Sequence, residues 1–124
     1  MIFTHTCIIT DDVKVLSLFY EEVLGIKAVY YGKDYSEFNT ERGTLSIYRA
    51  DMFNELAPNS AFPAYNRSVI LEFSVEDVDA EYERLQEVAV EWVKPPTTQP
   101  WGNRSIYFRD LDGNLVNFYM QVNS

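Results

Sequence analysis

The chain has 124 residues, the length of one ordinary domain, and its single cysteine, Cys7, has no partner for an internal disulfide. Nineteen acidic and ten basic side chains give a net charge of −9, which repels nucleic-acid phosphates and anionic lipid. The sequence shows neither a charged-then-apolar leader nor an apolar run of roughly 18 residues. We therefore expect a soluble cytoplasmic protein with neither nucleic acid nor membrane as a partner.

Aromatic residues are frequent in so short a chain, with nine Tyr, eight Phe and two Trp. One small core needs fewer rings than this, and aromatic side chains are favoured at ligand sites and subunit interfaces. We therefore expect some of them to line a pocket or an interface.

The first half of the chain begins with a β-branched stretch, Ile2–Thr10, that predicts a strand. Side chains alternate across a strand, so His5 and Cys7 share one face. Three more short β-prone pieces follow later, bounded by Gly and Asp residues. They are Lys27–Tyr31, Tyr35–Thr40 and Thr44–Arg49.

Apolar residues at helical spacing predict two helices. The first covers residues 12–24, where Asp11 or Asp12 caps the start and Gly25 ends it. The second begins after Asp77, which stands between a strand and a helix as Asp12 does.

The segment Asp51 to Asn66 contains two prolines, three asparagines and scattered aromatic residues. This composition predicts an irregular connection with one helical turn. Its aromatic content indicates a loop that packs over the mouth of a ligand site.

The second half of the chain repeats the order of the first. Predicted strands at Val69–Val75 and Val90–Lys94 flank the second helix, and Trp101–Met120 is predicted to be a hairpin with positive φ at Gly113 and Asn114. The prolines between residues 95 and 100 form a stiff connection, because proline cannot pair in the middle of a sheet. We interpret residues 1–124 as a single domain of two βαβββ modules, 1–50 and 67–124, joined by the loop 51–66.

Several motifs occur in an order and spacing that together resemble one protein family. They are the His-bearing first strand, Phe19-Tyr20 before Val23-Leu24-Gly25, Val75-Glu76-Asp77-Val78-Asp79-Ala80, Gln99-Pro100-Trp101-Gly102, and Tyr107-Phe108-Arg109-Asp110 through Asp112-Gly113-Asn114-Leu115. The chain resembles the vicinal oxygen chelate superfamily of glyoxalase/bleomycin-resistance/dioxygenase-like proteins. This resemblance implies an α+β fold in which two βαβββ modules form a curled mixed sheet around a cup, in a homodimer whose cups are built from modules of both chains. A departure from the family is Ala89, where such proteins tend to have glycine after the second helix.

In the enzymatic members, the resemblance implies a divalent metal held by the first strand of each module and the last strand of the second. His5 matches the first of these ligands, whereas Ile70 has no donor atom and Asn117 is a weak neutral donor where glutamate is expected. We therefore expect no cofactor. The alternative is a divalent metal held by a different ligand set, His5, Cys7 and Glu72. Such a site would belong to a metal-dependent lyase, isomerase or dioxygenase.

Strand alternation predicts that the cup wall is apolar with a few polar groups, which suits a small, partly aromatic and cationic molecule. No Ser-His-Asp arrangement, Gly-rich phosphate loop or CxxC motif indicates a catalytic residue. Our leading prediction is a metal-free homodimer that binds such a molecule. The alternative outside the enzyme class is a structural or regulatory dimer whose cups are filled by its own side chains, with Trp101 and Tyr107 in a core or an interface. The predicted ligand-binding residues are His5, Glu72, Trp101, Tyr107, Asn117 and Tyr119.

Overall fold

A computed structural model of the chain describes residues 1–88 and 90–122, which form two compact units. The first unit is Met1–Ala64, and the second begins at Tyr65. The elements of the first unit are β1 (His5–Thr10), α1 (Val13–Leu24), β2 (Val29–Tyr30), β3 (Tyr35–Asn39), β4 (Thr44–Arg49) and α2 (Ala50–Leu56). Those of the second are β5 (Ile70–Ser74), α3 (Val78–Leu85), β6 (Glu91–Thr98), β7 (Asn103–Arg109) and β8 (Leu115–Gln121).

Each unit contains one open, four-stranded mixed sheet. The strand order is β1-β4-β3-β2 in the first unit and β5-β8-β7-β6 in the second. In both sheets the first strand of the unit pairs in parallel with the last, and the remaining pairs are antiparallel. The predicted α+β fold of two βαβββ modules is therefore confirmed.

Helices α1 and α3 begin where the sequence predicts, and α1 also ends as predicted. The Asp12 side chain accepts a hydrogen bond from the Val15 N–H at 3.1 Å, and Gly25 ends α1 with φ of 70°. Asp77 caps α3 in the same way, by accepting from the Ala80 N–H at 3.0 Å. A cap of this kind contributes about 1 kcal/mol to helix stability.

One face of each sheet packs on the long helix of its own unit. Tyr20 of α1 contacts Phe38 of β3 with ring centroids 6.1 Å apart, and Tyr82 of α3 contacts Trp92 of β6 at 4.8 Å. We call the opposite face of each sheet its distal face. In the first unit it carries His5, Cys7, Tyr35, Glu37, Ser46 and Tyr48, and in the second Glu72, Ser74, Tyr107, Asn117 and Tyr119.

The connection between the modules contains more helix than the sequence predicts. Residues Ala50–Leu56 form the seven-residue helix α2, where an irregular segment with one turn is expected. No side chain caps its start, so the sequence lacks a capping signal for it, and Asp51 in the first turn is the one feature that favours a helix start.

The proline segment also differs from the prediction. Strand β6 continues through Pro95 and Pro96 to Thr98, although the prediction ends the strand at Lys94 and treats the prolines as an unpaired connection. Its pairing with β7 shifts between Lys94 and Thr97, and β6 lies at the edge of the sheet. An edge strand tolerates proline because one row of its N–H groups has no partner strand.

The predicted C-terminal hairpin is confirmed, since β7 and β8 pair from end to end. Gly113 in its turn has φ of 86°, whereas the positive φ predicted for Asn114 is wrong. Asn114 is instead held by Asp110, whose carboxylate accepts from the Asn114 backbone and side-chain N–H groups, both at 2.9 Å. Ala89, at which the sequence departs from the family, lies outside the described residues. No helix in the described ranges is long and apolar enough to cross a membrane.

Candidate functional site

The distal face of the first sheet carries a carboxylate bonded to two neighbours. Glu37 Oε2 accepts a hydrogen bond from the Tyr35 hydroxyl at 2.7 Å and lies 3.2 Å from His5 Nε2. A carboxylate only accepts, so His5 Nε2 carries the hydrogen and donates it. His5 Nδ1 lies 2.8 Å from the Thr4 hydroxyl. Both ring nitrogens of His5, the residue that matches one of the family's ligand positions, are therefore engaged by protein groups.

Two other titratable groups on this face are held in their neutral forms. Burial raises the pKa of the Cys7 thiol, although the residue as a whole is exposed and a hydrogen bond with Ser46 acts in the opposite direction. Burial is also the main reason that the pKa of Tyr35 rises to about 12, and Glu37 raises it further while Ser46 lowers it. Only a thiolate is an effective nucleophile or metal ligand, so Cys7 is poorly suited to either role.

A row of aromatic rings runs along the same face. Tyr31 contacts Tyr35 with ring centroids 5.9 Å apart, Tyr35 contacts Tyr48 at 5.2 Å, and Tyr48 contacts Phe53 of α2 at 5.5 Å. We call these four residues the aromatic row. Their rings are tilted or perpendicular to one another, which is a favourable packing geometry for aromatic groups.

In the second unit, two of the predicted site residues are in contact. The Asn117 side chain of β8 donates to Glu72 Oε2 of β5 at 2.8 Å. Asn117 is only 3% exposed, and its Oδ1 has no hydrogen-bond partner among the described residues. Tyr107 stands opposite Asn117 on β7, and Tyr119 lies two residues further along β8.

Trp101 stands apart from these groups. It lies in the turn before β7 and is 68% exposed, so it is not part of the core of its unit. Of the six residues predicted from the sequence, the structure joins only Glu72 and Asn117 by a side-chain hydrogen bond.

The metal set that the resemblance implies does not fit the residues present. Ile70 has no donor atom, the Asn117 amide is bonded to Glu72, and His5 is bonded to Glu37. Across the described ranges, no group of three or more His, Cys, Asp or Glu side chains is arranged to hold an ion. A catalytic metal usually needs at least three protein ligands and an open position.

Sequence reasoning missed Tyr35, Glu37, Tyr48 and Phe53. The signal for the first two was present, because Tyr35 and Glu37 are two residues apart on a predicted strand and thus share a face. Their neighbours became clear only with the register of β3 against β4, in which Tyr35 stands opposite Tyr48. Phe53 carried no such signal, because the helix that places it was not predicted.

Comparison with known proteins identifies relatives along almost the whole chain. Residues 2–118 match the sequence model of the Glyoxalase/Bleomycin resistance protein/Dioxygenase superfamily. The uncharacterized protein YraH of Bacillus subtilis (strain 168) is 27% identical over 121 residues, covering 93% of this chain and 94% of that protein.

Solved structures agree with this comparison. A glyoxalase/bleomycin resistance protein/dioxygenase from Nocardioides is 25% identical with a TM-score of 0.81, covering 98% of this chain and 83% of that one. A glyoxalase/bleomycin resistance protein/dioxygenase family enzyme from Burkholderia phytofirmans PsJN has a TM-score of 0.83 at 16% identity and covers 98% of this chain and 100% of that one. At such low identity, the second similarity is evidence for the fold alone.

Proposed function

Because the chain belongs to the Glyoxalase/Bleomycin resistance protein/Dioxygenase superfamily, we propose that it binds a small organic molecule without the metal ion of the family's enzymes. It acts as a homodimer whose small-molecule site lies at the interface between the two copies. The observation that carries this proposal is the state of the three expected metal-ligand positions. His5 and Asn117 are committed to neighbouring carboxylates, and Ile70 offers no donor.

Loss of the ion changes what the fold can do chemically. A metal in such a site polarises a substrate oxygen or activates water, and this supplies several kcal/mol of transition-state stabilisation. Neither Cys7 nor Glu37 is an obvious replacement for the ion, since Cys7 is held as a thiol and Glu37 is bonded to His5 and Tyr35. The aromatic rings and carboxylates of the distal faces remain suited to recognition.

The proposal is tested by a thermal-shift screen of small aromatic and cationic compounds in a buffer that contains EDTA. We expect at least one compound to raise the melting temperature, because a ligand at 100 times its Kd stabilises the folded state by about 2.7 kcal/mol. If stabilisation appears only after a divalent metal is added, the metal-dependent enzyme is correct instead. If no compound stabilises the protein with or without metal, the dimer with self-filled cups is favoured.

The oligomeric part of the proposal has its own measurement. Sedimentation equilibrium at micromolar concentration is expected to give the mass of two chains. A monomer under these conditions would contradict a site built from two copies.

A further inference from the structure

We propose that Glu37 and the aromatic row form a recognition site for an organic ammonium group. This inference rests on the proposed function, and it specifies which part of the distal surface holds the ligand and what charge the ligand carries. Glu37 and the aromatic row are distinct from the three ligand positions compared above, which are His5, Ile70 and Asn117.

The first argument is the charge of Glu37. Its side chain is only 16% exposed, and its ion-pair partner is His5, whose side chain is 43% exposed. No lysine or arginine in the described part of the chain pairs with Glu37. A largely enclosed carboxylate without a permanently charged partner attracts a cation more strongly than a fully solvated one.

The second argument is the acceptor capacity that Glu37 retains. Tyr35 and His5 both bond to Oε2, and no described residue donates to Oε1. A carboxylate has roughly four lone-pair sites, so the second oxygen is available to a ligand. Those two bonds also fix the position of the carboxylate, which reduces the entropy lost when a ligand binds.

The third argument is the aromatic surface beside the carboxylate. Tyr35 shares its strand with Glu37 and touches both Tyr31 and Tyr48. Tyr31 is 59% exposed, and Tyr35, Tyr48 and Phe53 are half-buried, so each ring keeps surface that a ligand can contact. The face of an aromatic ring attracts cations, and rings next to a carboxylate are a common arrangement for binding ammonium groups.

These features discriminate between classes of ligand. An anion would meet the carboxylate and the electron-rich ring faces, both of which repel it. A neutral apolar group would contact the rings but would leave Glu37 without a counter-charge. An organic ammonium group contacts the rings and also supplies a counter-charge to Glu37. The net charge of −9 favours its approach to the protein.

The test compares choline with 3,3-dimethylbutan-1-ol, its neutral analogue in which carbon replaces the charged nitrogen. Both are titrated against the protein while the tyrosine-ring NMR signals are recorded. We expect choline to shift the signals of Tyr35 and Tyr48 saturably, with the neutral analogue binding roughly tenfold more weakly. Equal binding of the two compounds, or no binding of choline, would overturn the inference.

Two variants locate the site. Glu37→Gln removes the charge but keeps an oxygen that accepts from Tyr35, and Tyr48→Leu removes a ring from the centre of the row. Each is expected to weaken choline binding by roughly five- to tenfold, whereas Glu41→Gln, a carboxylate in the turn between β3 and β4, should leave it unchanged. Unchanged affinity in Glu37→Gln places the cation elsewhere and contradicts the assignment.

The outcome also separates this inference from the function on which it rests. If a compound from the thermal-shift screen binds but Glu37→Gln and Tyr48→Leu do not affect it, the ammonium site is wrong and the binding function stands. If neither the screen nor choline gives binding, both are wrong.

Discussion

Asn117 donates a hydrogen bond to Glu72 at 2.8 Å, across the parallel pair β8 and β5. Asn117 stands at the position where the enzymes of the family are expected to carry a metal-binding glutamate. Its amide gives the neighbouring carboxylate a donor, which a second carboxylate would not do. Asparagine at this position therefore offers Glu72 a hydrogen-bond donor.

The hydrogen bond between Asn117 and Glu72 predicts the effect of placing an acidic side chain at position 117. Asn117→Asp removes the donor and places a buried carboxylate beside that of Glu72, which is exposed, so we expect the free energy of unfolding at neutral pH to fall by about 1–3 kcal/mol. Urea unfolding followed by far-UV circular dichroism measures this loss. Adding Glu72→Gln to this variant supplies a donor from position 72, and we expect the double variant to recover most of the lost stability. A double variant no more stable than Asn117→Asp would refute the explanation.

The turn glycine Gly113 is constrained by its backbone and by a neighbour. Its φ is 86°, and a Cβ at this position would overlap the ring of Tyr65. Gly32, with φ of 72° and open space around it, is the matched control. We expect Gly32→Ala to cost about 1 kcal/mol and Gly113→Ala to cost about 1 kcal/mol more. Equal losses in thermal unfolding would mean that contact with Tyr65 is unimportant.

Cys7 is expected to react slowly with alkylating reagents. Burial raises its pKa, so at about pH 8 the folded protein holds less thiolate than the unfolded chain. Mass spectrometry of iodoacetamide-treated samples, in buffer and in urea, measures the two rates. Ser46→Ala removes the hydrogen bond that lowers this pKa and should slow the reaction further. A pH–rate profile of the folded protein with its midpoint at or below the ordinary thiol value would contradict the assignment.

The raised pKa of Tyr35 predicts that the free energy of unfolding depends on pH in the alkaline range. Its pKa of about 12 in the folded protein exceeds the ordinary 10.0, so the folded state keeps a proton that the unfolded state releases. The resulting stabilisation is complete below pH 10 and is lost as the pH rises from 10 towards 12. Carbon-13 NMR of labelled tyrosine rings should show Tyr35 titrating well above pH 10. Glu37→Gln should lower its pKa while leaving it above the ordinary value, because burial is the larger cause, and an unchanged titration would contradict the contact.

Much of the fold follows from local patterns in the sequence. The 3.6-residue period and Asp12 predict α1, and alternation correctly separates His5 and Cys7 from the side of β1 that packs on the helix. Where the predicted bounds of an element were wrong, the structure depends on contacts between residues that are distant in the sequence. Pro95 and Pro96 lie within β6 because that strand is at a sheet edge, and the order of strands is not visible in a local pattern.

The candidate site was harder to predict because it depends on register. Glu72 and Asn117 were placed on one face by alternation, but their hydrogen bond requires the pairing of β5 with β8. The same holds for Glu37, whose neighbours come from β1 and from its own strand. The contact of Phe53 with Tyr48 depends on α2, for which the sequence lacks a capping signal.

The most direct test of the central claim is the metal content of the protein. Demetallated protein is incubated with Zn²⁺, Ni²⁺, Mn²⁺ or Fe²⁺, passed through a gel-filtration column and analysed for bound metal, with His5→Ala as the matched variant. A metal-free binding protein predicts far less than one ion per chain for every metal and no difference between the two proteins. Retention of one ion per chain that is lost in His5→Ala would contradict the account.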